Sequence, residues 1–507
     1  MTRNYQIAFG GRINPSLPTP AYLQVTGAII RDIENGRLAH GTFLPSSRKL
    51  AVQLKLNRKT IVLAYEELIS QGWLEAAGTR GTMVAADAPL PRAGGGGRTS
   101  TRNVLRNEKP KPRYRVLPTP EHEIDLPGHG MARVDDGEPD GRLFPAALMA
   151  QAYRNALNRA VSERSHRAMG WSGTDGLRSA ICDMLRHQRG LLCAPDDILT
   201  TRGRQSGLFM TAQALLRPGD IVLVEELTYQ PAVAAFGMIG ARVIPVRSEG
   251  GAIDLDEVER ICRRHQVRAI YVTPHCQFPT TTQMGPEQRL GLLNLAAQFG
   301  YAIIEDDYGS DFNFVSQPML PMAAYAPEHV VYLGSLSTVL SPALRIGYIH
   351  APQAMTRALG YYCAHVDVMG NRFTEDAAAE LIGNGAFWRH VNKVHKTYAE
   401  RRMHTADVLR ARLADRVAFD LPDSGLALWL QFPEVSPQTL NAETARSGLG
   451  LPSVHVSSLA RNGPWGVRFG FGNLDGDEAG RAADLLARAL ARALASALDR
   501  GGDPLQM

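Results

Sequence analysis

Short apolar runs alternate with helical stretches between residues 221 and 350, and this alternation constrains the fold more than any other feature. The runs are residues 221–227, 242–246, 268–274, 301–307, 330–335 and 345–350. Strands that alternate with helices are typical of a largely parallel sheet covered by helices. After about residue 400, the runs LALWLQF and VRFGFGN accompany an Ala/Leu/Arg-rich helix near residues 477–499. The sequence therefore predicts a large α/β domain followed by a smaller C-terminal α/β lobe.

A basic, Gly/Pro-rich stretch separates this region from the front of the chain. Residues 88–115 contain four consecutive glycines, four prolines and eight basic residues, a composition typical of flexible linkers. A chain of 507 residues is long enough for several domains. We therefore predict a front module of residues 1–87, a linker of residues 88–115, a large domain of residues 116–395 and a small domain of residues 396–507.

The charge of the chain is concentrated in its front part. Residues 1–115 contain 18 Lys or Arg and 7 Asp or Glu, a balance of +11, so the remainder carries −6 of the total of +5. This asymmetry indicates a polyanionic partner for the front of the chain. A solvated basic tail would give the same charge balance.

Neither export nor membrane insertion is indicated by the sequence. The N-terminus has no long apolar stretch, and we find no run of about 18 apolar residues. The five cysteines form no CxxC pair, which fits reduced thiols. We therefore expect a cytoplasmic protein without a membrane partner.

The front module is predicted to contain three helices and a hairpin. Apolar residues recur at helical spacing over residues 22–33. Ser46 or Ser47 can cap a second helix, and Asn57 can cap a third one after a very tight turn. The segment WLEAAGTRGTMVA then predicts two short strands.

Basic residues cluster at the starts of the second and third helices and at the tip of the hairpin. In a helix-turn-helix, the N-terminal residues of the second helix enter the major groove, and helix starts can also meet phosphates. Each residue alone is typical of a solvated surface, but their joint placement favours double-stranded DNA as a partner. The expected contacts are Arg48, Lys49, Arg58, Lys59, Thr60 and Arg80.

These motifs resemble the N-terminal domain of the GntR family of regulators. The resemblance rests on PxYxQ, LPSSRKLA, NRKTIVLAYEELISQGWL and GTRGT, and it covers nearly all of residues 18–86. It implies a winged helix-turn-helix with DNA contacts from Arg48, Arg58, Thr60 and the wing around Arg80.

The rest of the chain resembles the fold-type I pyridoxal phosphate enzymes. The motifs GEPDGRLFP, TRGRQSGL, RPGDIVLVEELTYQP, YVTPHCQFPT, IIEDDYGSDF, GSLSTVLSPALRIGY and GVRFGFGNL occur in the order used by that group. Together with a GntR-like head, this order is similar to that of the MocR subfamily. The resemblance implies an aminotransferase-like domain and a homodimer.

The resemblance also implies roles around the cofactor ring. Asp306 would face the pyridinium nitrogen, which needs an anion for the ring to act as an electron sink. Tyr308 would hydrogen-bond the phenolic oxygen of the ring, and Tyr229 would stack against the ring or close over it.

The anionic groups of cofactor and substrate would be bound by arginines and a helix start. Arg204, Gln205 and Arg345 would hold the phosphate. Arg468 would bind the carboxylate of a substrate or ligand. Arg345, Arg468, Asp306 and Tyr308 would equally fit a satisfied ionic core without a ligand.

Thr338 stands where the resemblance places the catalytic lysine. The motif there normally reads G-T-F-S-K, and its lysine forms the imine with the cofactor. A threonine hydroxyl cannot form an imine, so we expect no catalytic residue. Of the seven lysines, Lys393 and Lys396 follow residue 111, and they are expected to be solvated charges on one helix face.

Other positions also depart from the pattern. Thr281 replaces a glycine, and the loop of residues 169–176 lacks the usual tyrosine and proline. His275 and Cys276 are adjacent in sequence, and adjacent strand residues point to opposite faces. No third ligand accompanies them, so no metal site is predicted.

The function expected from these features is a sequence-specific DNA-binding transcription regulator. Its aminotransferase-like domain would be catalytically inactive and would serve as an effector and dimerisation domain. That domain would bind pyridoxal phosphate non-covalently, bind an amino-acid-like effector, or act as a scaffold without a ligand. The alternative is a pyridoxal phosphate-dependent aminotransferase with an appended DNA-binding domain.

Overall fold

A computed structural model describes most of the chain as two compact units, Met1–His122 and Glu123–Met507. The residues that it describes are 13–14, 19–89, 114–115, 132–162, 170–249, 252–315, 319–366, 370–452, 456–457, 459 and 464–499. Most of the predicted linker of residues 88–115 lies outside these ranges.

The N-terminal unit is a winged helix-turn-helix, as the sequence predicts. Its helices are α1 (Ala21–Glu34), α2 (Ser47–Leu54) and α3 (Arg58–Ser70), and its strands are β1 (Leu74–Ala76) and β2 (Thr82–Val84). The strands pair antiparallel. The core of the unit contains buried apolar residues of all three helices and both strands.

Side-chain caps position both helices of the helix-turn-helix. The Ser46 hydroxyl accepts from the backbone N–H of Lys49 at 3.4 Å, and Asn57 Oδ1 accepts from Lys59 N–H at 2.9 Å. Between the helices, Lys55 has a left-handed backbone with φ of 52°. The turn is therefore as tight as predicted.

The C-terminal unit contains eleven helices in the part of the chain that the structure describes. They are α4 (Ala146–Ser162), α5 (Asp175–Arg189), α6 (Arg204–Leu215), α7 (Gln230–Met238), α8 (Leu255–Arg264), α9 (Pro286–Phe299), α10 (Gln353–Val366), α11 (Arg372–Gly383), α12 (Ala386–Leu413), α13 (Pro437–Arg446) and α14 (Gly476–Asp499).

Fourteen strands accompany these helices within the described ranges. They are β3 (Ala132–Arg133), β4 (Ile198–Thr201), β5 (Ile221–Glu225), β6 (Arg242–Val246), β7 (Ser248–Glu249), β8 (Ala252–Ile253), β9 (Val267–Val272), β10 (Ala302–Asp306), β11 (Val330–Ser335), β12 (Gly347–His350), β13 (Ala427–Leu430), β14 (Leu449–Gly450), β15 (Val456–Ser457) and β16 (Trp465–Gly470).

Seven of these strands form a largely parallel sheet in the order β4-β12-β11-β10-β9-β5-β6. Strand β12 pairs antiparallel with both of its neighbours. Every residue of β5 and β12 is buried, because apolar side chains pack on both faces of the sheet. This sheet confirms the predicted α/β class.

A second sheet, in the order β13-β16-β15, belongs to the predicted small lobe. Two features differ from the predicted domain boundaries. Helix α12 continues across residues 395 and 396 without a break, and β3 pairs with β14 near residue 450. The segment around residue 132 therefore packs with the small lobe although it precedes the large sheet in the chain.

Within the described residues, no helix is long and apolar enough to cross a membrane. All five cysteines are buried and free.

Candidate functional sites

The predicted DNA contacts lie at two helix starts and at the turn of the hairpin. Arg48 and Lys49 are exposed in the first turn of α2, and Arg58 and Lys59 are exposed in the first turn of α3. Thr60, in the same turn of α3, is half-buried. Their side chains can therefore reach phosphates or base edges without rearrangement of the fold.

Arg80 is exposed in the short 3-10 turn Gly78–Arg80 between β1 and β2. Leu63 was not singled out from the sequence, yet it is 50% exposed and lines a shallow groove on α3 together with Asn57 and Arg58. An exposed apolar residue on a recognition helix can contact the methyl group of thymine. The available signal is that Leu63 is an apolar residue off the helix face formed by the buried Ile61, Ala64, Tyr65 and Leu68.

In the C-terminal unit, a cavity of about 240 Å³ lies at the carboxyl ends of the strands of the large sheet. Open α/β sheets bind their ligands at this edge. Six predicted cofactor-binding residues and Thr338 are brought together there. The lining residues are Asp136, Gly137, Glu138, Pro139, Gly203, Arg204, Gln205, Tyr229, Tyr271, Thr273, Phe278, Asp306, Tyr308, Ser335, Ser337, Thr338, Pro342 and Arg345.

Thr338 lines this cavity. Thr338 Oγ1 lies 3.2 Å from Asp311 Oδ2 and 3.3 Å from the backbone oxygen of Ser335, and it can donate to either. No lysine is among the lining residues that the structure describes. The sequence has no lysine between Lys111 and Lys393, and both Lys393 and Lys396 are exposed on α12.

Asp306 ends β10 and is 2% exposed. Its Oδ1 accepts from Arg204 Nη1 at 3.2 Å, and its Oδ2 accepts from the Tyr271 hydroxyl at 2.8 Å. Burial raises the pKa of Asp306, and the charge of Arg204 opposes that rise. Burial lowers the pKa of Arg204, but the charge of the facing Asp306 carboxylate raises the same pKa by more. The pKa therefore lies above its usual value, and the guanidinium stays charged.

Arg204 was expected to bind the cofactor phosphate. Its side chain points instead to Asp306, the carboxylate that was expected to face the ring nitrogen. Arg204 begins α6, and its guanidinium carbon lies 4.9 Å from the centre of the Tyr308 ring. The sequence places Arg204 at a helix start but does not show the direction of its side chain. Gln205, beside it, donates from Nε2 to the backbone oxygen of Pro231 at 2.8 Å.

Arg345 is a second cation that lines the cavity. Arg345 is exposed, and its guanidinium packs against Gly203. Any residue larger than glycine at position 203 would bring its Cβ to 3.3 Å from Arg345 Cζ. No described residue hydrogen-bonds or ion-pairs with the Arg345 side chain. Gly203 has φ of +83°, so both its conformation and this contact favour glycine.

Arg468 is 1% exposed and donates to protein groups from all three guanidinium nitrogens. The acceptors are the backbone oxygens of Asp136 and Pro279 and the hydroxyl of Tyr308, each at 2.9 Å. The guanidinium also lies 4.6 Å from the centre of the Phe278 ring. Arg468 is not among the lining residues, so its predicted role in carboxylate binding would require these contacts to open.

Tyr229 makes an edge contact with Phe278, with ring centres 5.1 Å apart. Phe278 makes a second edge contact with Tyr308 at 6.0 Å. The three rings form an apolar wall of the cavity. Burial raises the pKa of Tyr308 to about 12, so its hydroxyl stays protonated.

A second ionic cluster lies beside the cavity and was missed by sequence reasoning. Asp307 lies 3.3 Å from Arg189 Nε and 2.9 Å from His275 Nδ1, and it also accepts from Ser310 and Tyr332. Burial opposes ionisation of Asp307, but His275 and Arg189 hold its pKa far below the usual range. The repeated aspartate in IIEDDYGSDF was the signal available. His275 thus has a structural partner.

Thr281 has a left-handed backbone with φ of 64° and is buried. A β-branched residue in this conformation is strained, which explains why the resemblance places a glycine there. The altered loop of residues 169–176 begins outside the described residues.

Models of two known protein families match most of the chain. A model described as "Aminotransferase class I and II" matches residues 134–449, which is more than half of the chain. The chain belongs to the aminotransferase class I and II family. A second model, "Bacterial regulatory proteins, gntR family", matches residues 21–84. In this aminotransferase-family chain, the two matches confirm the predicted combination of a GntR-type head with an aminotransferase-like domain.

The relatives of this aminotransferase-family chain include proteins that are named as regulators. It is 29% identical over 420 residues to "Probable rhizopine catabolism regulatory protein MocR" of Rhizobium meliloti, covering 82% of each chain. It is 28% identical over 471 residues to "HTH-type pyridoxine biosynthesis transcriptional regulator PdxR" of Corynebacterium glutamicum, covering 92% of this chain and 95% of the relative. The similarity to the MocR subfamily predicted from the motifs is confirmed.

Among solved structures, the multiple substrate aminotransferase of Thermococcus profundus matches with a TM-score of 0.68 and 21% identity. The match covers 73% of this chain and 93% of that one. At this identity the match shows the fold. The fold is that of aminotransferases.

Proposed function

We propose that this protein is a sequence-specific DNA-binding transcription regulator whose aminotransferase-like domain does not perform transamination. The observation that carries the second part is Thr338, which lines the cavity at the position where the family's imine-forming lysine is expected. The first part is supported by the exposed basic residues at the helix starts of the N-terminal unit and by the regulators among its relatives.

The alternative, an aminotransferase with an appended DNA-binding domain, needs an amine at the cavity. Imine formation requires a lysine that can reach the cofactor aldehyde. Lys393 and Lys396 are exposed on α12, and neither lines the cavity. The regulator is therefore the better-supported function.

In the proposed regulator, the C-terminal unit acts as a dimerisation and effector domain. A homodimer would present two reading heads to a double-stranded operator. The cavity is the proposed site for a small-molecule effector. Arg345 would attract an anionic group there, and Arg468 would serve the same purpose after its contacts open.

Selection from a random library of DNA duplexes tests the DNA-binding activity. We expect the full-length protein to enrich a defined sequence. Arg58→Ala should then weaken binding to that sequence by about 1–3 kcal/mol if Arg58 contacts a base edge, with relaxed selectivity at one position.

The matched variant Arg58→Lys keeps the charge but removes the guanidinium, which can donate two hydrogen bonds to one base. It should lose most of the selectivity and retain much of the salt-dependent affinity. Gel-shift titrations of the three proteins measure both quantities. Failure to enrich any sequence would contradict the proposed function, and wild-type selectivity in both variants would contradict the role of Arg58.

A further inference from the structure

Arg204 and Asp306 form a buried ion pair inside the cavity. Their side chains are 17% and 3% exposed, and the Nη1 to Oδ1 distance is 3.2 Å. The other carboxylate oxygen accepts from Tyr271, which is itself 1% exposed. Both oxygens of Asp306 thus already have hydrogen-bond donors.

Pyridoxal phosphate in a fold of this kind needs the same carboxylate. A protonated ring nitrogen carries one positive charge, and an anion must face it for the ring to act as an electron sink. Arg204 already supplies one positive charge and a donor to Asp306. A pyridinium ring would therefore have to displace the Arg204 guanidinium, which would lose the one ion pair that it makes with a described residue. A largely buried charge left without a partner is strongly unfavourable.

We infer that Arg204 is a built-in substitute for the ring cation and that it excludes pyridoxal phosphate from this cavity. The residues present do not fit the cofactor, because Asp306 is engaged and Thr338 offers no amine. This inference rests on the proposed function, in which the cavity serves an effector rather than catalysis.

The same pair defines the class of ligand that this end of the cavity would accept. Nε and Nη2 of Arg204 make no hydrogen bond to a described residue, so they remain available as donors. The surface presented to a ligand is therefore a guanidinium rather than a carboxylate. A neutral or anionic acceptor, such as a carboxylate or a carbonyl oxygen, suits it better than a cationic nitrogen.

Equilibrium dialysis of the full-length protein with pyridoxal phosphate as the probe tests the inference. We compare the wild type with Arg204→Ser, which frees Asp306, and with Arg204→Lys, which keeps a cation beside it. The double variant Arg204→Ser with Asp306→Asn removes the carboxylate as well. Circular dichroism and binding to the selected DNA show whether each variant is folded.

The expected result is that Arg204→Ser binds pyridoxal phosphate at least about tenfold more tightly than the wild type, a change equivalent to 1.4 kcal/mol. Arg204→Lys and the double variant should both resemble the wild type. Equal affinity of the wild type and Arg204→Ser would overturn the inference, and so would tight binding by the double variant. In either case DNA binding, and with it the proposed function, would be unaffected.

A covalent readout provides an independent check. Thr338→Lys would place an amine in the cavity, where it can condense with the cofactor aldehyde to an imine and release one water molecule. We expect a yellow, borohydride-reducible adduct in the variant that combines Thr338→Lys with Arg204→Ser, and little adduct in Thr338→Lys alone. Adduct formation to the same extent in both variants would show that Arg204 is no barrier and would overturn the inference.

Discussion

Glu225 is a carboxyl group buried at the end of β5, and no described residue forms an ion pair with it. It is 1% exposed, Oε2 accepts from Gln277 Nε2 at 3.3 Å, and Oε1 has no hydrogen-bond partner among the described residues. Burial raises the pKa of Glu225 from 4.5 to about 8. Between these values the unfolded chain loses the proton while the folded chain keeps it, so stability falls as the pH rises through this range.

We predict that Glu225→Gln stabilises the protein at alkaline pH. The gain in the free energy of unfolding should be a few kcal/mol above about pH 8, because one pKa unit corresponds to about 1.4 kcal/mol. It should disappear below about pH 4.5, where both states of the wild type are protonated. Urea denaturation at several pH values measures it, with exposed Glu434→Gln as the control. A pH-independent difference between Glu225→Gln and the wild type would contradict the prediction.

Sequence could predict which residues surround the cavity but not how they pair. Asp306 ends β10, Tyr308 and Thr338 follow strands β10 and β11, and the carboxyl ends of these strands share one edge of the sheet. The proximity of the three residues therefore follows from the α/β pattern. The pairing of Arg204 with Asp306 depends on a side-chain direction that the motif does not contain. The partners of Asp307 could not be predicted either, because Arg189 and His275 are distant from Asp307 in sequence.

At the element scale, the recognition helix α3 depends on its N-cap. Asn57 Oδ1 accepts from Lys59 N–H, which would otherwise have no partner within the helix. The strong helical spacing and this cap explain why α3 could be predicted from Asn57 onwards. Strands β6 and β11 likewise have the predicted bounds. Strand β4 was missed because its four residues, ILTT, are too short to show a period.

We predict that Asn57→Ala lowers the free energy of unfolding of the N-terminal unit by about 1 kcal/mol, the usual effect of losing an N-cap. Asn57→Ser should retain most of the stability, since serine is also a good cap. Hydrogen exchange of the α3 amides in the full-length protein measures the difference. Equal protection of these amides in both variants would argue against the capping role.

At the scale of the whole molecule, we predict a homodimer formed through the C-terminal unit. Several large apolar side chains are exposed on two of its helices: Leu148, Leu157 and Val161 on α4, and Tyr361 and Val366 on α10. Exposed apolar surface of this kind is typical of an interface. Light scattering should give twice the chain mass of 55.3 kDa at micromolar concentration. A monomer, with and without DNA, would contradict the prediction.

We predict that the aminotransferase-like domain forms no covalent link with pyridoxal phosphate. The most direct measurement is borohydride reduction of the wild-type protein after incubation with the cofactor, followed by peptide mass spectrometry. A lysine-bearing aminotransferase treated in parallel shows that the reduction works. We predict no pyridoxyl group on any lysine of this chain. A stoichiometric label, for example on Lys393 or Lys396, would contradict the claim.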